Sequence, residues 1–591
     1  MPGISIASLF AGTEISEFDI HPDGTRAVCS VNRGRNWELA TLDLRTGRLT
    51  RFLSADQSLV SPRYSPDGSW LVYETDFQGD EDHDLVVVST ANRTQEKVTD
   101  GVADNFNPVV SPDGNRVAFL SNRKADIENI YLIRPNGGKP VQLTQEDLPV
   151  RDLAWSPDGR TIAYHTGVGD EDTVSLVDLE RRKSKLLLSR KNVEYGLTSG
   201  YGSTEPWSKD GKSLLFVSNE NDSVDIGSID PRTKKRRWLV RTRNEKYEPR
   251  WSPDGSSLAY LEVDDPNLVV KIMTGARTRI VSPKDGLSRR IRWSPDGRRV
   301  YFINGSANRK EEVYAASTRP KVVSNLHPVS PPKTILSYPK LIKFKSFDGR
   351  MIPALLFKPK DMSRRAGIVL PHGGPEAQTL NEWDQLVHML IDNGFAVIEP
   401  NYRGSTGYGR QFLHLHDKDL GGGDYLDTVY AGKHLVGAGL VDAERLGYWG
   451  ASYSGFTCML ALTKHPDMWA AGVSIVGFFD WETEIANERG YLQAYDHKKM
   501  GDPKKDPEFF RERSPIHFLR NLKAPLLMTA SSQDVRCPPT EARAVVERLK
   551  ELGKRHEYHE YTDEGHWPRK RRNLRDLYER STRFLDKNIP K

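Results

Sequence analysis

Ser452, Asp534 and His566 are the residues of this chain whose types, order and settings suit nucleophilic chemistry. Ser452 stands in GYWGASYSGF (447–456), which approximates G-x-S-x-G but carries Ser454 where the last glycine of that pattern would be. A strand that delivers a serine into a sharp turn, followed at once by a helix, exposes the hydroxyl and aims a helix N-terminus at it. Ser454 is the weaker nucleophile, because its register would need small glycines at 452 and 456, where the chain has Ser452 and Phe456. APLLMTASSQDVRCPP sets Asp534 just past a buried strand, and EYHEYTDEGHWP sets His566 in the loop after the next one. In that order His566 can take the Ser452 proton and return it to a leaving group, while Asp534 fixes the imidazole tautomer and stabilises its cation. Asp563 and Glu564 are alternative acids, but they lie too close to His566 to sit naturally at the end of the preceding strand.

An oxyanion needs backbone donors. LPHGGPEAQ (370–378) follows the apolar strand GIVLP, and its glycines let the backbone approach a substrate. The expected donors are the N–H groups of Gly374 and of Tyr453, the residue after the nucleophile.

The elements that must position these residues are legible around them. GIVLP, FAVIEP, RLGYWGA, AGVSIV, APLLMTA and EYHEY read as buried strands, alternating with segments of helical period such as SGFTCMLALTKHP and TEARAVVERLKELGK. That alternation predicts a mostly parallel sheet covered on both faces, an α/β-hydrolase domain over 326–591, with active residues at the carboxyl ends of its strands. Before it, HPDG at 21–24, SPDG at five later places and a degenerate SKDG at 208–211 recur with glycine spacings of 44, 46, 45, 52, 44 and 42. Apolar runs flank each Asp-Gly, which signals a tight hairpin, and a second strand pair follows in most repeats. Four strands per repeat, seven times, predict a seven-bladed β-propeller over 1–325, joined to the second domain by the Pro- and Ser-rich stretch 324–340. Two acidic stretches inside the repeats, GDEDHD (79–84) and GDEDT (169–173), lack the pattern of a calcium loop and are expected to be exposed loops.

The repeats resemble TolB-like, WD-related propellers. Together with HGGP, NYRGSTGYG (401–409), GASYSG, SSQDVRCP and EGHWP, they make nearly the whole chain resemble the prolyl oligopeptidase family of serine peptidases, closest to its acylaminoacyl-peptidase branch. Ser454 departs from the family pattern, which usually has glycine there. The resemblance implies that Arg536 binds a substrate carbonyl one residue upstream of the scissile bond. It also implies that Trp481, with Leu492 and Tyr495, lines an apolar to aromatic pocket for the side chain before that bond. In this family the propeller covers the active site and admits short peptides.

Composition is that of a soluble globular protein, 37% hydrophobic and 28% charged, with a net charge of only +5 over 591 residues. Its basic clusters lack interleaved aromatics, so no nucleic-acid partner is expected. The N-terminal stretch has no basic region followed by an apolar run, so a cytoplasmic protein with no membrane association is expected. Three widely separated cysteines predict buried free thiols, no disulfide framework and no metal site, and no cofactor is expected. The expected partner is a short peptide or aminoacyl amide substrate, with a homo-oligomer left open. Three functions follow in order: a serine peptidase acting on short or N-terminally blocked peptides, an amidase or esterase on aminoacyl amides, and an inactive hydrolase carried by a propeller binding module.

Overall fold

A computed structural model describes residues 5–124, 126–169, 172–197, 205–317, 319–324, 326 and 338–591. Most of the 324–340 connection and part of GDEDT therefore lie outside the described residues. The strands between residues 14 and 322 form five four-stranded antiparallel sheets and one of eight, the latter made of two hairpin sets touching through a single parallel bridge, Leu268 to Leu287.

The recurring Ser-x-Asp-Gly phrase is turn chemistry. In the six later repeats the serine hydroxyl donates to the aspartate Oδ1 at 2.5–2.8 Å. The same oxygen accepts the N–H two residues on, and the glycine sits at φ between +66° and +73°, which a side chain resists. The phrases also touch one another in sequence order: a Cβ at Gly114 would meet Pro66 at 3.6 Å, at Gly159 Pro112 at 3.8 Å, and at Gly297 Pro253 at 3.5 Å. Gly24 of the first repeat meets Pro295 of the last at 3.4 Å, which closes a ring. Apolar packing of Ile15 and Phe18 with Tyr301, Ile303 and Val313, and Arg289 hydrogen-bonded to the Ile15 carbonyl at 2.8 Å, hold that closure. The N-terminal unit is a propeller.

Residues 340–591 build one eight-stranded sheet from β1 (Lys340–Lys345), β2 (Met351–Phe357), β3 (Ala366–Val369), β4 (Phe395–Pro400), β5 (Leu446–Ala451), β6 (Ala471–Ile475), β7 (Leu526–Ser531) and β8 (His556–Tyr561). Their order is β1-β2-β4-β3-β5-β6-β7-β8, parallel from β4 onward, with the first two strands an antiparallel hairpin. Helices α1 (Gln385–Asp392) and α7 (Arg571–Asn588) cover one face. The other is covered by α2 (Gly423–Gly437), α3 (Tyr453–Lys464) and α6 (Pro539–Glu551). The connection from β6 to β7 includes α4 (Trp481–Asn487) and α5 (Gly490–Met500). The order reverses between β3 and β5, so loops leaving those neighbouring strands diverge to opposite faces and leave a crevice at their carboxyl ends.

Three details revise the expected domain picture. Leu9 and Phe10 pack into the second domain's core, with Phe10 6.2 Å from Tyr578, although they precede the first propeller strand. GDEDHD is no free loop: Asp82 pairs with Arg489 at 2.8 Å, and neighbouring Asp76 with Arg569 at 2.7 Å. A Cβ at Gly79 would lie 2.9 Å from the Gly565 nitrogen, beside His566. On the other flank buried Glu245 accepts the N–H groups of Gly407 and Gly409, both at 2.9 Å, which docks NYRGSTGYG on the propeller. All three cysteines are free and buried. Among the described residues no helix is long and apolar enough to cross a membrane.

Candidate active site

Ser452 follows β5 and caps α3 at φ 57°, ψ −128°, a conformation in which few non-glycine residues are found. Two anchors impose it: Ser452 donates its N–H to the Ile475 carbonyl at 2.9 Å, and its own carbonyl accepts the N–H of Gly455 at 2.8 Å. Close approach is demanded at Gly450, where a Cβ would fall 2.0 Å from the Ser454 carbonyl oxygen, and at Gly455, where it would fall 2.9 Å from that of Ile475. Position 454 is different. The Ser454 hydroxyl turns back on the elbow, accepting the Ala451 N–H at 2.7 Å and donating to the Ala451 carbonyl at 2.8 Å. The missing glycine is thus replaced by a side chain that ties the turn. Ser454→Ala leaves that half-buried N–H without its acceptor and is expected to lower the unfolding free energy by about 1 kcal/mol. Chemical denaturation measures it, and an unchanged midpoint would show that the tie carries no stability.

His566, in the loop between β8 and α7, lies with Nε2 2.9 Å from Ser452 Oγ and Nδ1 2.9 Å from Asp534 Oδ2. Asp534 follows β7, and its Oδ1 also accepts the N–H groups of Arg536 at 2.9 Å and Cys537 at 3.0 Å. A buried carboxylate held by two backbone donors cannot swing away from the imidazole. The two other acids near His566 are occupied elsewhere. Glu564 accepts the N–H groups of Arg569 and Lys570 at 3.0 and 3.1 Å, and Asp563 pairs with Lys570 at 2.7 Å.

Gly373 and Gly374 leave β3 alongside this turn. A Cβ on Gly373 would stand 3.4 Å from that of Ser452, so the nearer contact falls one residue before the expected donor Gly374, whose φ is +130°. Among the described residues the N–H groups of Gly374 and Tyr453 have no acceptor, and that of Tyr453 is the first open donor of α3. His372 braces the loop: its Nδ1 lies 2.7 Å from the Gly373 carbonyl, its Nε2 2.8 Å from Ser405 Oγ, and its ring stacks on Tyr402. A carbonyl only accepts, so Nδ1 carries the proton. Burial pushes the imidazole down to about 4, which keeps it neutral.

Arg536 reaches across to the propeller, where its Nε donates to Glu81 at 2.9 and 3.0 Å. Burial alone would raise the Glu81 carboxyl, but Arg536 and His566 together bring it below its ordinary value. Glu81 is the residue that sequence reasoning missed; its signal was the acidic stretch taken for an exposed loop. Of the expected pocket residues, Leu492 and Tyr495 are half-buried on α5, whose N-terminus meets the propeller through Asp126 and Gly490 at 2.9 Å. Trp481 is buried and packs on Phe478 at 4.7 Å and on Phe456 of α3 at 5.4 Å. A recess of about 630 Å³ opens elsewhere, lined by Lys433, His465 and Met468 at the end of α3 remote from Ser452.

Residues 381–591 match the model of the prolyl oligopeptidase family, and residues 19–199 that of the TolB β-propeller domain. The peptidase domain belongs to the prolyl oligopeptidase family of serine peptidases, and the domain before it carries the TolB propeller match. The uncharacterized peptidase YuxL of Bacillus subtilis (strain 168) is 25% identical over 85% of this chain and 93% of its own length. Dipeptidyl aminopeptidase BIII of Pseudoxanthomonas mexicana is 24% identical over 92% and 76%. The fold is that of a puromycin-hydrolyzing peptidase of Mycobacterium tuberculosis, with TM-score 0.89 and 19% identity over 100% of this chain and 96% of the other. The family's propeller and peptidase units here enclose one hydrogen-bonded Ser, His and Asp set, with the propeller's Glu81 at its edge.

Proposed function

We propose that this chain hydrolyses short peptides, free or N-terminally blocked, through an acyl-enzyme on Ser452. The observation that carries the reading is the unbroken hydrogen-bonded path from Asp534 through His566 to Ser452, with 2.9 Å at each link, at strand ends beside the switch point of the sheet. As Oγ attacks the scissile carbonyl carbon, Nε2 of His566 takes its proton and Asp534 stabilises the imidazolium. The N–H groups of Gly374 and Tyr453 hold the oxyanion. His566 returns the proton to the leaving amine, and a water then repeats the sequence on the acyl-enzyme, releasing the acid and restoring Ser452. Arg536, exchanging its bond to Glu81 for one to substrate, holds the carbonyl one residue upstream. Leu492 and Tyr495, backed by Trp481, give the preceding side chain an apolar to aromatic wall.

The propeller acts as a filter. Its seven Asp-Gly turns, six of whose glycines adjoin a neighbouring turn and which close through Gly24 and Pro295, support seven blades, with the domain boundary near residue 325. A ring packed against the His566 loop keeps folded proteins from the triad and excludes water, which strengthens the oxyanion contacts.

A panel of acetyl-aminoacyl, free aminoacyl and dipeptidyl arylamides tests the reading. Turnover with fluorophosphonate labelling of Ser452 is expected, and the preferred class names the exopeptidase type. Labelling with hydrolysis confined to aminoacyl amides would make the chain an amidase, and neither labelling nor turnover would sink the reading.

A further inference from the structure

Between β6 and β7 the peptidase domain buries three acids that no cation neutralises. Glu484 on α4, Glu488 at its end and Asp496 on α5 are 3%, 6% and 8% exposed. Among the described residues no lysine, arginine or histidine comes within ion-pair distance of any of them. Other acids of this face are paired: Glu376 and Asp417 share Lys499 at 2.7 and 2.6 Å, Glu81 holds Arg536, and Asp82 holds Arg489. Glu541, beside the group, is satisfied by the N–H groups of Phe479 at 2.6 Å and Asp480 at 3.2 Å. Glu484 Oε2 and Glu488 Oε1, by contrast, are buried oxygens without a hydrogen-bond partner among the described residues. Glu488 and Asp496 face each other, and burial holds both above the ordinary carboxylate range. Packing alone does not ask for this arrangement, since apolar side chains of similar size would fill the space without buried oxygens left unpaired.

The group adjoins the reacting centre from two sides. Glu484 lies one turn past Trp481, which rests on Phe456 of the nucleophile's helix. Glu484 also meets the thiol of Cys537, whose N–H binds Asp534. Asp496 follows Leu492 by four residues, so the two share a face of α5, and Tyr495 adjoins it. An apolar wall that leads to unpaired carboxylates matches a side chain with a hydrocarbon stem and a cationic head.

We propose that Glu488 and Asp496, with Glu484 behind them, bind the ammonium or guanidinium head of the residue before the scissile bond, so that this peptidase cleaves after lysine and arginine. The inference rests on the reading of Ser452 as the nucleophile. Its test compares kcat/KM for matched arylamides carrying Arg, Lys, norleucine or Phe at that position. Because a site built for a polar head discriminates against an analogue lacking it, Arg and Lys should exceed norleucine by at least about tenfold. Glu488→Gln and Asp496→Asn should each lower the Arg and Lys values about tenfold or more while leaving norleucine within about threefold. Asp496→Leu, checked for an unchanged thermal midpoint, should reverse the preference toward norleucine. In the Ser452→Ala protein, n-butylguanidinium should bind, and Asp496→Asn in that background should weaken it. Norleucine or Phe cleaved as well as Arg, or equal losses for all substrates in the variants, would overturn the inference while leaving the serine peptidase intact. Absence of turnover on every substrate, with no fluorophosphonate labelling, would remove the underlying reading and this one with it.

Discussion

Ser452→Ala is expected to lower kcat/KM on the preferred arylamide by a factor on the order of 10⁴ to 10⁶, leaving only the contribution of binding and the oxyanion donors. The reason is positional: Ser452 Oγ is the atom 2.9 Å from His566 Nε2, and without it the imidazole has no nucleophile to activate. The neighbouring hydroxyl cannot substitute. Ser454 is buried in the first turn of α3 with its oxygen committed to Ala451 at 2.7 and 2.8 Å, so Ser454→Ala should change kcat/KM by less than about tenfold while Ser452→Ala abolishes labelling. Steady-state kinetics on both variants, with intact-mass analysis after fluorophosphonate treatment, give the answer. Label retained by Ser452→Ala and lost in Ser454→Ala would reverse the assignment of the nucleophile.

Asp534→Asn should reduce kcat by about 10⁴ with a much smaller change in KM. The carboxylate accepts from His566 Nδ1 through both oxygens, at 3.0 and 2.9 Å, which fixes the tautomer that leaves Nε2 free to take the serine proton. An asparagine amide can turn its N–H toward Nδ1, so the imidazole then carries its proton on Nε2 and cannot act as a base toward Ser452. The side chains are nearly isosteric, and the carbonyl of asparagine can still accept the N–H groups of Arg536 and Cys537, so the loop after β7 should stay in place. Circular dichroism and the thermal midpoint monitor that point while stopped assays give kcat. A loss of less than about tenfold in a folded protein would mean that Asp534 does not set the tautomer.

What could be read from the chain alone is what short-range chemistry dictates. Ser-x-Asp-Gly closes its own turn through bonds spanning two residues, so its recurrence announced the repeats. The elbow likewise carries its constraint locally, since Gly450 and Gly455 are needed where the backbone passes itself and β6. The order of Ser452, Asp534 and His566 at the ends of β5, β7 and β8 follows from the alternation of buried strands and helices, which leaves few topologies.

Tertiary structure decided the rest, because those features join residues remote in sequence. Glu81 meets Arg536 across 455 positions and from the other domain, so an acidic loop that looked solvated is part of the site's edge. Local pattern could not show that Trp481 is buried, because burial depends on how α4 packs against Phe456 and Phe478. The substitution at 454 needed coordinates as well, since only the fold shows the hydroxyl turned back onto Ala451. Nor could composition reveal that, among the described residues, Glu484, Glu488 and Asp496 lack a cation while Glu376 and Asp417 share one, because charge pairing is fixed by which side chains the fold brings within reach.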